Sequence, residues 1–310
     1  MSVDDLVARA RDGDARAVGR LISLVENASP LLRDVTTALM PYVGKARVIG
    51  LTGSPGVGKS TTTSALVTTL RARGSRVGVL AVDPTSPFSG GALLGDRVRM
   101  AEHTEDPGVF IRSMATRGQL GGLAGATPQA LRVLDAAGCD VVVIETVGVG
   151  QSEVDVVALA DTTVVLLAPG MGDGVQAAKA GILEVADVFV VNKADRDGAT
   201  RAVRELQHMV GFGEPDGWRV PVLRTVASRG EGVDELVAAL DAHRQWADGS
   251  GERDRRRVAR AEAEIEAVAV TRLRARIRDV HGGADLADLA KRVVAGELDP
   301  YAAADELDPE

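Results

Sequence analysis

The feature that most constrains the fold is a rhythm. Between residues 47 and 247, the β-rich runs RVIGLT, RVGVLAV, GVFIRS, DVVVIE, TTVVLLA, VFVVN and VPVLRT recur along the chain. Patterns of helical period separate them, among them residues 60–73, 127–137, 175–185 and 199–210. Runs that are apolar without alternation need cover on both faces, and strands joined through helices run parallel. The pattern predicts an α/β fold with a mostly parallel central sheet.

The flanks read differently. In residues 1–46, Leu6, Val7, Ala10, Val18, Leu21, Ile22, Leu24 and Val25 recur at roughly helical spacing until NASP interrupts them. This predicts an N-terminal helical extension. Residues 248–310 open on DGSGERD, which reads as a polar linker, and then turn helical. There Val258, Ala261, Ile265 and Val268 form an apolar seam that needs a partner, either the chain's own core or a second subunit. Interleaved arginines and glutamates mark the rest of this stretch as a solvated face.

Composition narrows the function classes. A net charge of -8 argues against broad nucleic-acid binding. A single cysteine, Cys139, excludes an intrachain disulfide or a Cys-rich metal site and reads as a small core residue. The N-terminus has acids and arginines where a secretory signal needs an apolar core. No apolar run reaches membrane-spanning length, since VVALADTTVVLLAPG is broken by Asp161 and Pro169. The expected compartment is the cytoplasm, with no membrane association.

Chemistry enters at GSPGVGKST: Gly53, Ser54, Pro55, Gly56, Val57, Gly58, Lys59, Ser60 and Thr61. The segment fits G-x-x-x-x-G-K-S between a strand and a helix, the context a phosphate-binding loop requires. Its glycines let backbone N–H groups wrap phosphates at a helix N-terminus. Lys59 would reach the β/γ-phosphates, and Ser60 would offer its hydroxyl to Mg²⁺. VVNKAD then selects the base. Asn192, Lys193 and Asp195 form N-K-x-D at a strand end. Asp195 can accept from guanine N1–H and its exocyclic amine together, groups that adenine lacks there, so GTP and GDP are favoured over ATP.

Further acids stand at strand ends or in loops. Asp83 opens a long Gly/Pro/Ser-rich loop running to Asp96. Each of these two reads either as a Mg²⁺-side group, acting through water, or as a turn or cap former. Glu145 ends an apolar strand, where an unpaired carboxylate is costly, and so points to a Mg²⁺-bound water or to an internal partner. Gly148 could bring its N–H to the γ-phosphate. Gln151 is available to orient water, although it lies three residues after that glycine rather than next to it.

Together GSPGVGKST, AVDPTSPFSGGALLGDRVRM, ETVGVGQSE, APGMGDGVQAAKAGILEVADVFVVNKAD and GELDPYAAADEL resemble the MeaB/ArgK family, GTPase chaperones of adenosylcobalamin-dependent methylmalonyl-CoA mutase. The likeness runs to about residue 307. It implies a P-loop core of the SIMIBI class and a C-terminal helical region that builds a homodimer. It also implies slow GTP hydrolysis stimulated by the mutase, with nucleotide state gating cofactor transfer and protecting or rescuing the enzyme. By the same resemblance, Lys59, Ser60 and Thr61 bind phosphate and Mg²⁺, while Asp83, Asp96 and Glu145 form the switch-side Mg²⁺ shell. Asn192, Lys193 and Asp195 read guanine. PGMGDGVQAAK is similar to an additional switch loop facing the mutase, from which Gln176 or Lys179 would approach the γ-phosphate. Lys179 would act like an arginine finger there, or else stand as an exposed helix cation.

One departure from the family stands out. Where a Ser-Ala pair usually contacts guanine, this chain has Val226 and Ala227, followed by Ser228. The loop keeps its backbone N–H groups but changes its side-chain support. Two alternatives remain at this level: a nickel or cobalt metallochaperone GTPase, and an ATP-dependent small-molecule kinase. The first needs soft or imidazole ligands, whereas the chain has Cys139 and the scattered His103, His208, His243 and His281. N-K-x-D speaks against the second.

Overall fold

The computed structural model describes residues 2–27, 29–83, 100–115, 126–146, 158–170, 185–210 and 217–307. It divides into two compact units, Met1–Arg257 and Val258–Glu310. The first unit holds helices α1 (Val3–Arg11), α2 (Ala15–Glu26) and α3 (Leu32–Leu39), then β1 (Arg47–Thr52), α4 (Lys59–Ala72), β2 (Val77–Asp83) and β3 (Val109–Ala115). It continues through α5 (Thr127–Ala136), β4 (Val141–Thr146), β5 (Thr162–Leu167), β6 (Val188–Val191), α6 (Ala199–Val210), β7 (Val222–Arg224) and α7 (Val233–Ser250). Helices α8 (Glu252–Val294) and α9 (Pro300–Leu307) follow.

The described strands form one sheet in the order β3-β2-β4-β1-β5-β6-β7, and every pairing is parallel. Strands β4, β5 and β6 are buried at every residue, as double-faced cover requires. The edge strands β3 and β7 are largely half-buried, which accounts for their more polar runs. β7 begins after Pro221, whose missing N–H cannot join the ladder, although its carbonyl accepts from the N–H of Phe189.

Alternation along the strands sorts the core. Val188 and Val190 pack with Leu66, Leu236 and Leu240 of α4 and α7, while Phe189 and Val191 pack with Val203 and Leu206 of α6. On the face of α5, Leu80, Met114 and Val142 share a cluster with Leu6, Leu21, Ile22 and Val35. Residues 2–46 therefore belong to the body of the first unit. Ser2 caps α1 by accepting from the N–H of Asp5, and Asp14 caps α2 by accepting from the N–H groups of Arg16 and Ala17. Cys139 is buried just ahead of β4, and burial pushes its thiol up to about 12.

The expected polar linker over DGSGERD is not a linker. Residues 233–250 are one helix and α8 starts at Glu252, leaving Gly251, at φ +74°, as the whole interruption. A glycine in the left-handed region ends one helix without ending the helical run. The helix expected over 175–185 lies outside the described residues except at its last position.

Candidate nucleotide site

The phosphate loop leaves β1 in the middle of the sheet, where β4 and β5 flank that strand, and it delivers the chain to the start of α4. Parallel α/β sheets place ligand loops at this carboxyl edge. Backbone geometry fixes the loop: Gly53, Gly56 and Gly58 have φ of +138°, +80° and +98°. A Cβ at Gly53 would overlap the carbonyl of Leu166, and one at Gly58 would overlap the Asn192 amide. Lys59 is buried, and its Nζ donates to the carbonyls of Gly53 (2.5 Å) and Ser54 (3.1 Å), so the ammonium sits inside the loop's own curve.

Glu145 occupies the neighbouring strand, in register with Leu51 of β1. Its side chain is 1% exposed, and Ser60 donates its hydroxyl to Glu145 Oε1. The strand-end acid therefore has an internal partner, the very hydroxyl that the loop motif assigns to a metal. A hydroxyl and a carboxylate in contact form a hard oxygen donor pair, the ligand chemistry Mg²⁺ favours. Beside them Thr146 donates to Thr52, with both threonines fully buried. Asp83 ends β2 at the same edge of the sheet, in register with Ala115.

Asn192 is the structural hinge of the site. Its Nδ2 donates to Val57 O in the phosphate loop (2.9 Å). Its Oδ1 accepts from Thr225 Oγ1 (3.0 Å) and from the N–H of Ala227 (3.1 Å). One buried amide thus ties the phosphate loop to the loop after β7. Lys193, at φ +55°, donates its Nζ to Gly56 O (2.6 Å), adding a second tie to the phosphate loop. The N–H of Ala194 donates to Thr225 O at 3.0 Å. Asp195, two residues after Lys193, is 39% exposed at its side chain and lies 3.5 Å from Arg229 Nη2.

Of the Val226–Ala227–Ser228 run, Val226 and Ala227 are buried and Ser228 is exposed. Thus Lys59, Ser60, Glu145, Asn192, Lys193, Val226 and Ala227 contact or adjoin one another through the loops just described. Asp96, Gly148, Gln151, Gln176 and Lys179 lie outside the described residues. Two participants were not anticipated from the sequence. Thr225 carries a signal, a hydroxyl directly after the last strand. Arg229 carries little, because a loop arginine in a chain with many arginines does not announce its partner.

Comparison with known proteins agrees with this geometry. The family model described as "Methylmalonyl Co-A mutase-associated GTPase MeaB" matches residues 18–281. A Pyrococcus abyssi protein named as a GTPase is 48% identical over 310 residues, covering 98% of this chain and 95% of its own. The Caenorhabditis elegans mitochondrial methylmalonic aciduria type A homolog is 37% identical over 276 residues, covering 83% of this chain and 69% of its own. A solved LAO/AO transport system kinase superposes with TM-score 0.71 at 27% identity, covering 98% of this chain and 96% of its own. With a phosphate loop, an N-K-x-D strand end and a family match over most of its length, the chain is a P-loop GTPase and belongs to the MeaB family of methylmalonyl-CoA mutase-associated GTPases.

Proposed function

We propose that this GTPase is a chaperone of adenosylcobalamin-dependent methylmalonyl-CoA mutase or a related acyl-CoA mutase, gating cofactor loading and protecting or reactivating the enzyme. The observation that carries this reading is the family match over residues 18–281, whose description names the mutase. The name of the C. elegans relative points to the same metabolism.

Within the site, Lys59 exchanges its contacts to the Gly53 and Ser54 carbonyls for phosphate oxygens. Thr61 adds a phosphate contact, and Asp195 accepts from the guanine edge. Ser60 and Glu145, with Asp83 and Asp96, would hold Mg²⁺, which when bound supplies charge neutralisation on the phosphates. Asn192 keeps the phosphate and base loops at a fixed separation. Gly148 offers a backbone donor, Gln151 orients water, and Lys179 neutralises developing charge once the partner docks. A cytoplasmic homodimer completes the reading. Its support is the row Val258, Ile265 and Val268 on α8, exposed at 57%, 69% and 43%. Such a row is a surface that a second copy would cover.

Co-purification with methylmalonyl-CoA mutase in GDP and in a non-hydrolysable GTP tests the proposal. A complex whose affinity or stoichiometry depends on the nucleotide supports it; failure to associate in either state refutes it.

A further inference from the structure

We infer that Arg229 is a specificity-determining residue that orients the carboxylate of Asp195 for recognition of the guanine edge. The inference rests on reading Asp195 as the base-recognising acid.

The base-side loop has an apolar residue at the first position of the pair, and Val226 is buried at 7% exposure. Arg229 ends the 3₁₀ turn Ala227–Arg229, and its Nη2 lies 3.5 Å from Asp195 Oδ2. The turn that carries it is closed on itself. The Arg229 N–H donates to Val226 O at 2.8 Å, and the Val226 N–H donates to Glu231 O at 3.0 Å. Gly230, at φ +73°, permits the reversal between those contacts. Glu231 Oε1 stands 3.7 Å from Arg229 Nη1, so the guanidinium is drawn between two carboxylates on either side of the turn.

On the other side, Asp195 sits on a constrained backbone. Ala194 is bonded to Thr225, and Arg196 N–H donates to Lys193 O at 3.0 Å. The backbone is thereby fixed, while rotation of the Asp195 carboxylate is left to its side-chain partner.

A carboxylate has about four acceptor sites, so one contact with Arg229 leaves both oxygens able to accept from a base. Two parallel bonds to guanine require the carboxylate plane to match the base plane, whereas a single bond tolerates rotation. Loss of the orienting arginine should therefore penalise guanine, which offers N1–H and an amine, more than hypoxanthine, which offers N1–H alone. The pair is exposed, which limits the effect to about fivefold.

The test measures GDP, IDP and ADP affinities by calorimetry for the full chain and for Arg229→Gln, Arg229→Lys and Asp195→Asn. The expected result is a guanine-over-hypoxanthine preference that falls about fivefold in Arg229→Gln. Arg229→Lys should recover part of it, and adding Arg229→Gln to Asp195→Asn should cause no further fall. Equal weakening of GDP and IDP would overturn the inference, since Arg229 would then act as a general cation or stack on any base. An unchanged preference would overturn it as well. Wild-type protein that binds ADP as tightly as GDP would instead bring down the guanine reading itself, before any variant is considered.

Discussion

The two ends of the sheet use polar groups in opposite ways. At the carboxyl edge, glycines with positive φ, Lys59, Asn192 and the Ser60–Glu145 pair hold loops around a space for phosphate. At the amino edge, aspartates directly preceding strands hold the sheet together. Asp140, ahead of β4, accepts from the N–H of Arg76; Asp161, ahead of β5, accepts from Val48; Asp187, ahead of β6, accepts from Thr163. Each accepts from a backbone N–H at, or one residue before, the beginning of a neighbouring strand, so that this donor is satisfied.

Asp187 goes further. Arg256 engages both of its oxygens at 2.9 and 2.8 Å, and His243 Nε2 lies 3.1 Å from Oδ1. Thr162 Oγ1 stands 2.9 Å from His243 Nδ1. The distances Thr162–His243–Asp187 imitate a nucleophile, base and acid in line. Yet Thr162 is 1% and His243 0% exposed, so no substrate reaches them. Trp218 packs edge-on to His243 at 5.0 Å and closes the cluster. Geometry alone does not make a reactive site; access separates the two edges.

Substitutions should separate the edges too. Asp195→Ala carries the largest expected effect. Guanine-over-adenine preference should fall by about 10³- to 10⁴-fold, read from GDP and ADP affinities, with thermal stability little changed. Asp187→Ala should do the reverse. It leaves Arg256 without its buried partner and costs about 3–5 kcal/mol in denaturant unfolding. Nucleotide selectivity in the folded fraction should stay as it was. If Asp187→Ala altered selectivity and spared stability, the contrast between the edges would collapse.

Acid should weaken the amino edge through Asp187. Burial alone would raise the Asp187 carboxyl, but hydrogen bonds and charge from His243 and Arg256 together hold it below its ordinary value of 3.8. A depressed folded value means the unfolded chain takes up the proton more readily. The stabilisation is therefore complete above about pH 4 and is lost as pH falls through the folded value. Unfolding free energy should decline over that range, and Asp187→Asn should flatten the decline. The smallest effect concerns Cys139. With its thiol pushed up to about 12 and its side chain buried, it should resist a thiol reagent at neutral pH until the protein unfolds.

Strand existence, parallel orientation, the phosphate loop and the base motif were legible because each rests on local pattern: apolar runs, glycine spacing, and a short polar signature at a strand end. DGSGERD was misread for a local reason, since Gly and Ser suggest a break and the helices absorb all but Gly251. The aspartates before β4, β5 and β6 were visible as letters, yet their role depends on which strand lies alongside.

The sequence by itself determined that a P-loop GTPase core would form and which loop would hold phosphate, because periodicity and glycine placement act within a few residues. Tertiary structure alone decided that Glu145 meets Ser60, that Asn192 joins two loops across the site, and that Arg229 faces Asp195. Those contacts join residues 85, 135, 35 and 34 positions apart. What brings them together is the order in which parallel strands line up, a property of the assembled sheet that no short stretch of chain encodes.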